Sequence, residues 1–351
     1  MPSITKPVVN HPGLQRNSLG LTVRDYEGSM STLCAGCGHD SITAALVRAL
    51  WELEMPPHMI AKLSGIGCSS KTTAYFVEGG HGFNGVHGRM ATLATGANAA
   101  NRDLLYVGIS GDGDSLSIGI GHLVHAIRRN VQLMYIIENN GVYGLTKGQF
   151  SASADVGSKA KKGKPNQFSP IDPMMVGMAI GATFLARSFS GDKEQLVPIL
   201  KAAAAHRGLA LIDVISPCVT FNDHEGSTKS YAYAKEHDDP VEDITFVPYF
   251  EDITVDYEPG TAQEVTMHDG SKLYLKKLEE DYDPTDKINA LKRLHETSRR
   301  GEFATGLIYI EPDRDDFLTQ LNVVDEPLAS LPLDRVRPGP EALEEIMEGL
   351  R

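Results

Sequence analysis

The sequence predicts a doubly wound α/β domain, a mostly parallel sheet with helices on both faces, followed by a smaller α+β extension. Three observations predict it. Short runs of continuous apolar residues alternate with segments whose apolar residues recur at helical spacing. Glycine-rich loops follow the apolar runs, and after about Asn222 the alternation gives way to a hairpin pattern and charged helices. Continuous apolar strands belong to parallel sheets covered on both faces. Ligands of such sheets sit at the carboxyl ends of the strands, so the polar chemistry should gather on one rim. The expected organisation is an arm over 1–21, a main domain over 22–230 and an extension over 231–351.

The elements follow in order. Ser41–Leu53 places Ile42, Ala45, Leu46, Ala49, Leu50 and Leu53 on one helical face; Asp40 or Ser41 is the expected cap and Pro56-Pro57 the stop. Met59–Leu63 reads as a buried strand, running into Ser64-Gly65-Ile66-Gly67-Cys68. Thr92–Asn101 is a small-residue helix. Leu104–Ile109 is a strand leading to Gly111-Asp112-Gly113-Asp114, and Ile118–Arg128 is the next helix. Gln132–Ile137 is a strand with the loop Asn139–Gly144 after it. Met174–Phe184 and Lys193–His206 read as helices and Ala210–Ile215 as a strand. In the extension, Glu264–His268 and Leu273–Leu278 flank Asp269-Gly270, a turn pair that favours a hairpin. Lys287–Arg299, Thr305–Ile310 and Pro340–Leu350 read as helix, strand and helix.

Composition narrows the function. Hydrophobic residues at 41% and charged residues at 23% describe an ordinary globular protein. A formal net charge of -13 argues against nucleic acid as a partner, since a phosphate-backbone binder needs clustered excess Lys and Arg. The one basic run, 159–164, reads as a solvated loop. No apolar stretch approaches the ~20 residues of a membrane span, and residues 1–19 have no signal-peptide core, so the expected location is the cytoplasm.

Two constellations carry chemistry. Gly111-Asp112-Gly113-Asp114 is followed, on the next strand's loop, by Asn139-Asn140. A diphosphate held by Mg²⁺ needs hard oxygen ligands, which Asp112 and Asn140 supply, while glycines let backbone N–H groups approach the phosphates. Taken alone, the first loop is better read as an Asp-rich turn. The second constellation is the four cysteines, Cys34, Cys37, Cys68 and Cys218. In a reducing compartment they suit tetrahedral zinc, a [4Fe–4S] cluster or plain burial as thiols. Structural zinc usually draws on two compact pairs, whereas these are scattered over three loops. A zinc-stabilised binding protein without redox activity therefore stands as an alternative of another class.

The whole set of motifs resembles a known family. GDGDSLSIGIGHLVHAIRRN with ENNGVYGLTKGQ, CAGCGH, GIGCSS, HGR with ATGAN, and SPCVTFN are similar to the β subunit of 2-oxoacid:ferredoxin oxidoreductases, in the family's order from Cys34 to about Asn222. The resemblance implies a thiamine-diphosphate-binding fold of the diphosphate-binding type. It implies Mg²⁺ on Asp112, Asn140 and the Val142 carbonyl, and a [4Fe–4S] cluster on Cys34, Cys37, Cys68 and Cys218. Gly67, Cys68, Ser69, His87, Gly111, Gly113, Asp114 and Gly144 would line the cofactor. Lys71, Leu145 and Lys147 are candidates for the substrate side, the lysines as partners for a distal carboxylate. The implied reaction is CoA-dependent oxidative decarboxylation of 2-oxoglutarate, or its reverse, with electrons passing to ferredoxin; pyruvate or branched 2-oxoacids are the alternative substrates. One doubly wound unit leaves no place for the Glu that activates thiamine, so an α subunit should supply it in an αβ or (αβ)2 assembly. His39 and His224 have no assigned role, and the extension is expected to cap the site or contact a subunit.

Overall fold

The computed structural model describes residues 11–158, 164–251, 262–277 and 282–351. The first ten residues of the expected arm and most of the basic run lie outside them. The strands are β1 (Ile60–Ser64), β2 (His81–Asn84), β3 (Leu105–Gly111), β4 (Leu133–Asn139), β5 (Val142–Tyr143), β6 (Gln149–Phe150), β7 (Phe184–Phe189) and β8 (Leu209–Ile215), then β9 (Asp238–Pro240), β10 (Glu242–Val247), β11 (Ala262–Thr266), β12 (Lys272–Lys277) and β13 (Phe303–Ile310). The main helices are α1 (Gly38–Glu52), α2 (Met90–Ala100), α3 (Ile120–Arg129), α4 (Pro173–Ile180), α5 (Lys193–Ala205), α6 (Tyr231–Glu236) and α7 (Lys287–Arg300). An eight-stranded sheet has the order β2-β1-β3-β4-β8-β7-β13-β9. Its first six strands are parallel. β13 runs antiparallel to β7, and β9 runs parallel to β13. Two strands from beyond residue 230 thus complete the sheet.

Both faces are covered, as continuous apolar strands require. Along β4, Met134 and Ile136 enter the core packed by α1 and α5, while Leu133, Tyr135 and Ile137 enter the one packed by α2, α3, α4 and α7. A three-stranded sheet, β10-β12-β11, buries Phe246, Val265, Leu273 and Leu275 in the α1/α5 core. Its hairpin turns at Gly270, in the left-handed region at φ 85°, where Asp269 accepts from the backbone and hydroxyl of Ser271.

Several boundaries differ from the sequence expectation. Helix α1 starts at Gly38 with Cys37 in the cap position, so Asp40 lies in the first turn instead of capping it. The helix expected over Met174–Phe184 stops at Ile180, where Gly181 takes φ 87°, and Phe184–Phe189 is a strand. Arg187 hides that strand from an apolar pattern. Its guanidinium is buried because Asp213 and Asp172 receive it at 2.8 and 2.5 Å. The helix expected from Ile118 is preceded by a wide π-helical turn, Gly113–Ile118, that begins directly after Asp112. Residues 11–21 fold back onto α1, where Trp51 donates to the Leu21 carbonyl at 3.0 Å.

Candidate active site

The carboxyl ends of β1, β3 and β4 open on a cleft of about 470 Å³. Its walls include Gly67, Cys68, Ser69, His87, Gly111, Asp112, Gly113, Asp114, Asn140, Val142, Gly144 and Leu145, drawn from five loops. Every residue expected to line a cofactor is therefore on one surface. Lys71 and Lys147, expected on the substrate side, are not on it. Lys71 stands one turn beyond Cys68, and Lys147 is exposed at φ 79° on the β5–β6 turn. His39, Ile66, Tyr143 and Thr146 line the cleft without having been singled out for it. The residues that line it end at Thr146.

Asp112 is 1% exposed, and burial pushes its carboxyl above the usual range, opposed by hydrogen bonds from Ser151 and Ser153. Both hydroxyls donate to Oδ2, while Oδ1 is buried with no partner. An orphaned, buried carboxylate oxygen facing a cleft is what a hard cation would satisfy. Asn140 presents its Oδ1 nearby, fixed by Val142 N–H at 3.0 Å. Gly113 leaves space that a Cβ would fill, 2.4 Å from the Tyr143 ring. The donor set fits Mg²⁺ and a diphosphate: two amide or carboxylate oxygens, a backbone carbonyl and glycine-flanked N–H groups.

His87 is aimed by Asp114. The carboxylate accepts from His87 Nδ1, from Gly88 N–H at 2.6 Å and, through its other oxygen, from Ser110 Oγ at 2.6 Å. With Nδ1 donating, Nε2 is the free nitrogen of the ring, whose edge meets Tyr143 at a centroid distance of 6.0 Å. Gly65 makes room for this carboxylate, since a Cβ there would lie 2.0 Å from Asp114 Oδ2.

The four thiols form a patch against the same wall. A Cβ on Gly144 would stand 3.4 Å from Cys68 Sγ and 3.8 Å from Cys218 Sγ, and Thr220 Oγ1 lies 3.4 Å from Cys34 Sγ. Burial pushes the Cys37 thiol up to about 12, with the fields of Glu138 and Cys218 adding to it. Cys68 and Cys218 are raised as well, again mainly by burial. Among the described residues no three His, Cys, Asp or Glu side chains converge on a single metal ion. The sulfurs are grouped without forming a one-ion site, and thiols with raised pKa need positive charge nearby to ionise. Cys34 is exposed and Cys68 borders the cleft, so the patch connects the outer surface with the cleft.

Between patch and cleft lies a buried pair that sequence reasoning missed. Glu138, on β4, receives Thr72 Oγ1 at 3.1 Å, and burial holds its carboxyl well above the usual range. His39 Nδ1 is 2.6 Å from Ser216 Oγ and 3.5 Å from Glu138, and burial lowers its pKa to about 4. Burial thus disfavours charge on both groups of this contact. His224 is exposed, and its Nδ1 lies 2.9 Å from the Glu225 carbonyl in its own loop.

Comparison with known proteins decides the family. Residues 65–214 match the thiamine pyrophosphate enzyme, C-terminal TPP binding domain. A 2-oxoacid:ferredoxin oxidoreductase 1, subunit beta, of Aeropyrum pernix is 35% identical over 312 residues, covering 87% of each chain. The chain belongs to the 2-oxoacid:ferredoxin oxidoreductase β-subunit family. A β subunit from Saccharolobus solfataricus is 45% identical over 56% of this chain and 65% of its own. The 2-oxoglutarate oxidoreductase subunit KorB of Mycobacterium tuberculosis is 41% identical over 54% and 51%. The chain thus spans about half to two thirds of the length of these two relatives. A solved 2-oxoglutarate:ferredoxin oxidoreductase from Magnetococcus marinus, with 2-oxoglutarate, coenzyme A and succinyl-CoA bound, aligns with TM-score 0.73 at 27% identity over 95% of this chain and 98% of that one. Among the described residues no helix is long and apolar enough to cross a membrane.

Proposed function

We propose that this chain is the thiamine-diphosphate-binding, iron–sulfur-carrying β subunit of a cytoplasmic 2-oxoglutarate:ferredoxin oxidoreductase, which forms succinyl-CoA and CO₂ or runs in reverse. The observation that carries the reading is the shared wall: Cys68 belongs both to the thiol patch and to the cleft with the orphaned Asp112 oxygen. The relatives whose names include 2-oxoglutarate support this substrate over pyruvate or branched 2-oxoacids.

In this reading Asp112, Asn140 and the Val142 carbonyl hold Mg²⁺, and Gly111 and Gly113 admit the diphosphate to backbone N–H groups. Bound thiamine diphosphate supplies a nucleophilic, electron-accepting carbon at which a 2-oxoacid loses CO₂. His87, fixed by Asp114, offers one nitrogen to hold or move a proton inside the cleft. Leu145 and Thr146 form the substrate-side lip. Cys34, Cys37, Cys68 and Cys218 would hold a [4Fe–4S] cluster, which would supply one-electron chemistry beside the cleft. The rim also exposes Ile66, Phe83, Val86, Ile118 and Leu145, an apolar set suited to the α subunit that brings the activating Glu.

Steady-state rates of the co-expressed αβ complex with a panel of 2-oxoacids, CoA and ferredoxin test the reading. The expected result is a kcat/KM for 2-oxoglutarate at least ~10-fold above that for pyruvate, the smallest effect of one charge-assisted bond. Lys71→Ala should lower the 2-oxoglutarate value more than the pyruvate value. Equal loss for both would remove Lys71 from any carboxylate role, and equal wild-type values would contradict the substrate.

A further inference from the structure

We infer that Ser151 and Ser153 are positioning residues that hold the Asp112 carboxylate so that its second oxygen faces a divalent cation. The inference rests on the reading of Asp112 as a metal-binding carboxylate. After β6 the chain turns through Ser151-Ala152-Ser153-Ala154, where Ala154 N–H donates to the Ser151 carbonyl at 3.3 Å, and the turn brings both serines to the same carboxylate. Ser151 and Ser153 are 7% and 2% exposed, and both hydroxyls reach one oxygen of Asp112, Ser153 at 2.5 Å. Ser153 Oγ also lies 2.7 Å from Asn139 Oδ1. A hydroxyl has one proton, and the charged acceptor at the shorter distance takes it. Two donors on Oδ2 leave Oδ1 buried and unpartnered, so the orientation of the whole carboxylate is set from behind.

The segment that delivers the hydroxyls is tied at both ends. Ser151 N–H donates to the Gly141 carbonyl at 3.3 Å, and Ala152 receives Ile171 N–H at 2.8 Å. Asp155 accepts from Thr228 N–H at 2.9 Å and from its hydroxyl at 2.6 Å, and lies 3.5 Å from Lys229 Nζ. Rotation of Asp112 away from the cation site would break both serine contacts at once. Anchored outer partners of this kind orient a ligand before the metal arrives, and their loss typically weakens metal binding 10- to 100-fold.

The test uses the intact αβ complex stripped with EDTA and titrated with Mg²⁺ in the presence of thiamine diphosphate. The readouts are the cation concentration for half-retention of thiamine diphosphate and the EPR signal of bound Mn²⁺. The expected result is a rise of about 10-fold or more in Ser151→Ala/Ser153→Ala, with wild-type iron content and circular dichroism. Ser153→Thr, which keeps the hydroxyl, should stay within about 3-fold of wild type, well short of the loss expected when an outer partner is removed. Wild-type half-retention in the folded double variant overturns the inference; should that variant not fold, unchanged values in both single variants do so. Asp112→Asn separates the two layers. If it leaves the cation dependence intact, the metal role of Asp112 falls; if it abolishes it while the serine variants behave as wild type, only the clamp falls.

Discussion

At the residue scale the site is governed by what burial does to polar atoms. Asp112→Asn removes a charge from a position whose carboxylate is enclosed and half-satisfied. It should lower thiamine diphosphate retention at fixed Mg²⁺ by at least ~10-fold, the scale of one charge-assisted contact, measured as bound cofactor per chain after gel filtration. The cysteines give a second expectation. In metal-free protein Cys34 is exposed, whereas burial raises the Cys37 pKa to about 12 and keeps it a thiol. Iodoacetamide at pH 8 should therefore label Cys34 first, read by peptide mass, because the thiolate is the nucleophile. Labelling of Cys37 ahead of Cys34 would contradict the environment described. The placement of Asp112, Asn140 and Cys68 on one rim was legible in the sequence because each stands beside glycine at the end of an apolar strand. Ser151, Ser153 and Glu138 were not, because a hydroxyl bonded to a carboxylate 39 residues away leaves no local pattern. Lys71 and Lys147 do not line the cleft, since adjacency in sequence to Cys68 and Gly148 does not fix where a side chain points.

At the element scale the sheet was legible wherever strands were wholly apolar. Strands β1, β3, β4, β8 and β13 match the expected runs with their ends moved by one or two residues. β7 escaped because Arg187 breaks its apolar run, and β2 because its four exposed residues carry no pattern at all. Burying Arg187 costs solvation that Asp213 and Asp172 offset, so Arg187→Ala should destabilise by about 3–5 kcal/mol in chemical denaturation, having left two carboxylates uncompensated. The α5–β8 junction adds a pH dependence. Burial lowers the His206 pKa from 6.5 to about 3, so this side chain stays neutral when folded. The unfolded chain then binds more protons below pH 6.5, and stability falls as pH falls through that window toward 3. Between pH 7 and pH 5 this one group should remove about 2 kcal/mol of unfolding free energy. His206→Gln should flatten that part of the profile; an unchanged slope would assign it elsewhere.

At the scale of the whole molecule, one continuous sheet unites the chemical loops with the extension, since β9 and β13 come from beyond residue 230. A change of sequence texture after Asn222 signalled the extension, but not that it would return to the same sheet. An antiparallel β13 beside a parallel β7 depends on long-range pairing that no local pattern encodes. The central claim is that the thiol patch and the cofactor cleft meet at Cys68 and Gly144, where a cluster held by the thiols would accept electrons released in the cleft. Freeze-quench EPR of the anaerobic αβ complex tests it most directly. Mixing with 2-oxoglutarate and CoA, without any other reductant, should produce the signal of a reduced [4Fe–4S] cluster within one turnover, and Cys68→Ser should abolish it. A cofactor-loaded complex that decarboxylates 2-oxoglutarate while its cysteines hold no iron, or while its cluster stays oxidised, would contradict the account.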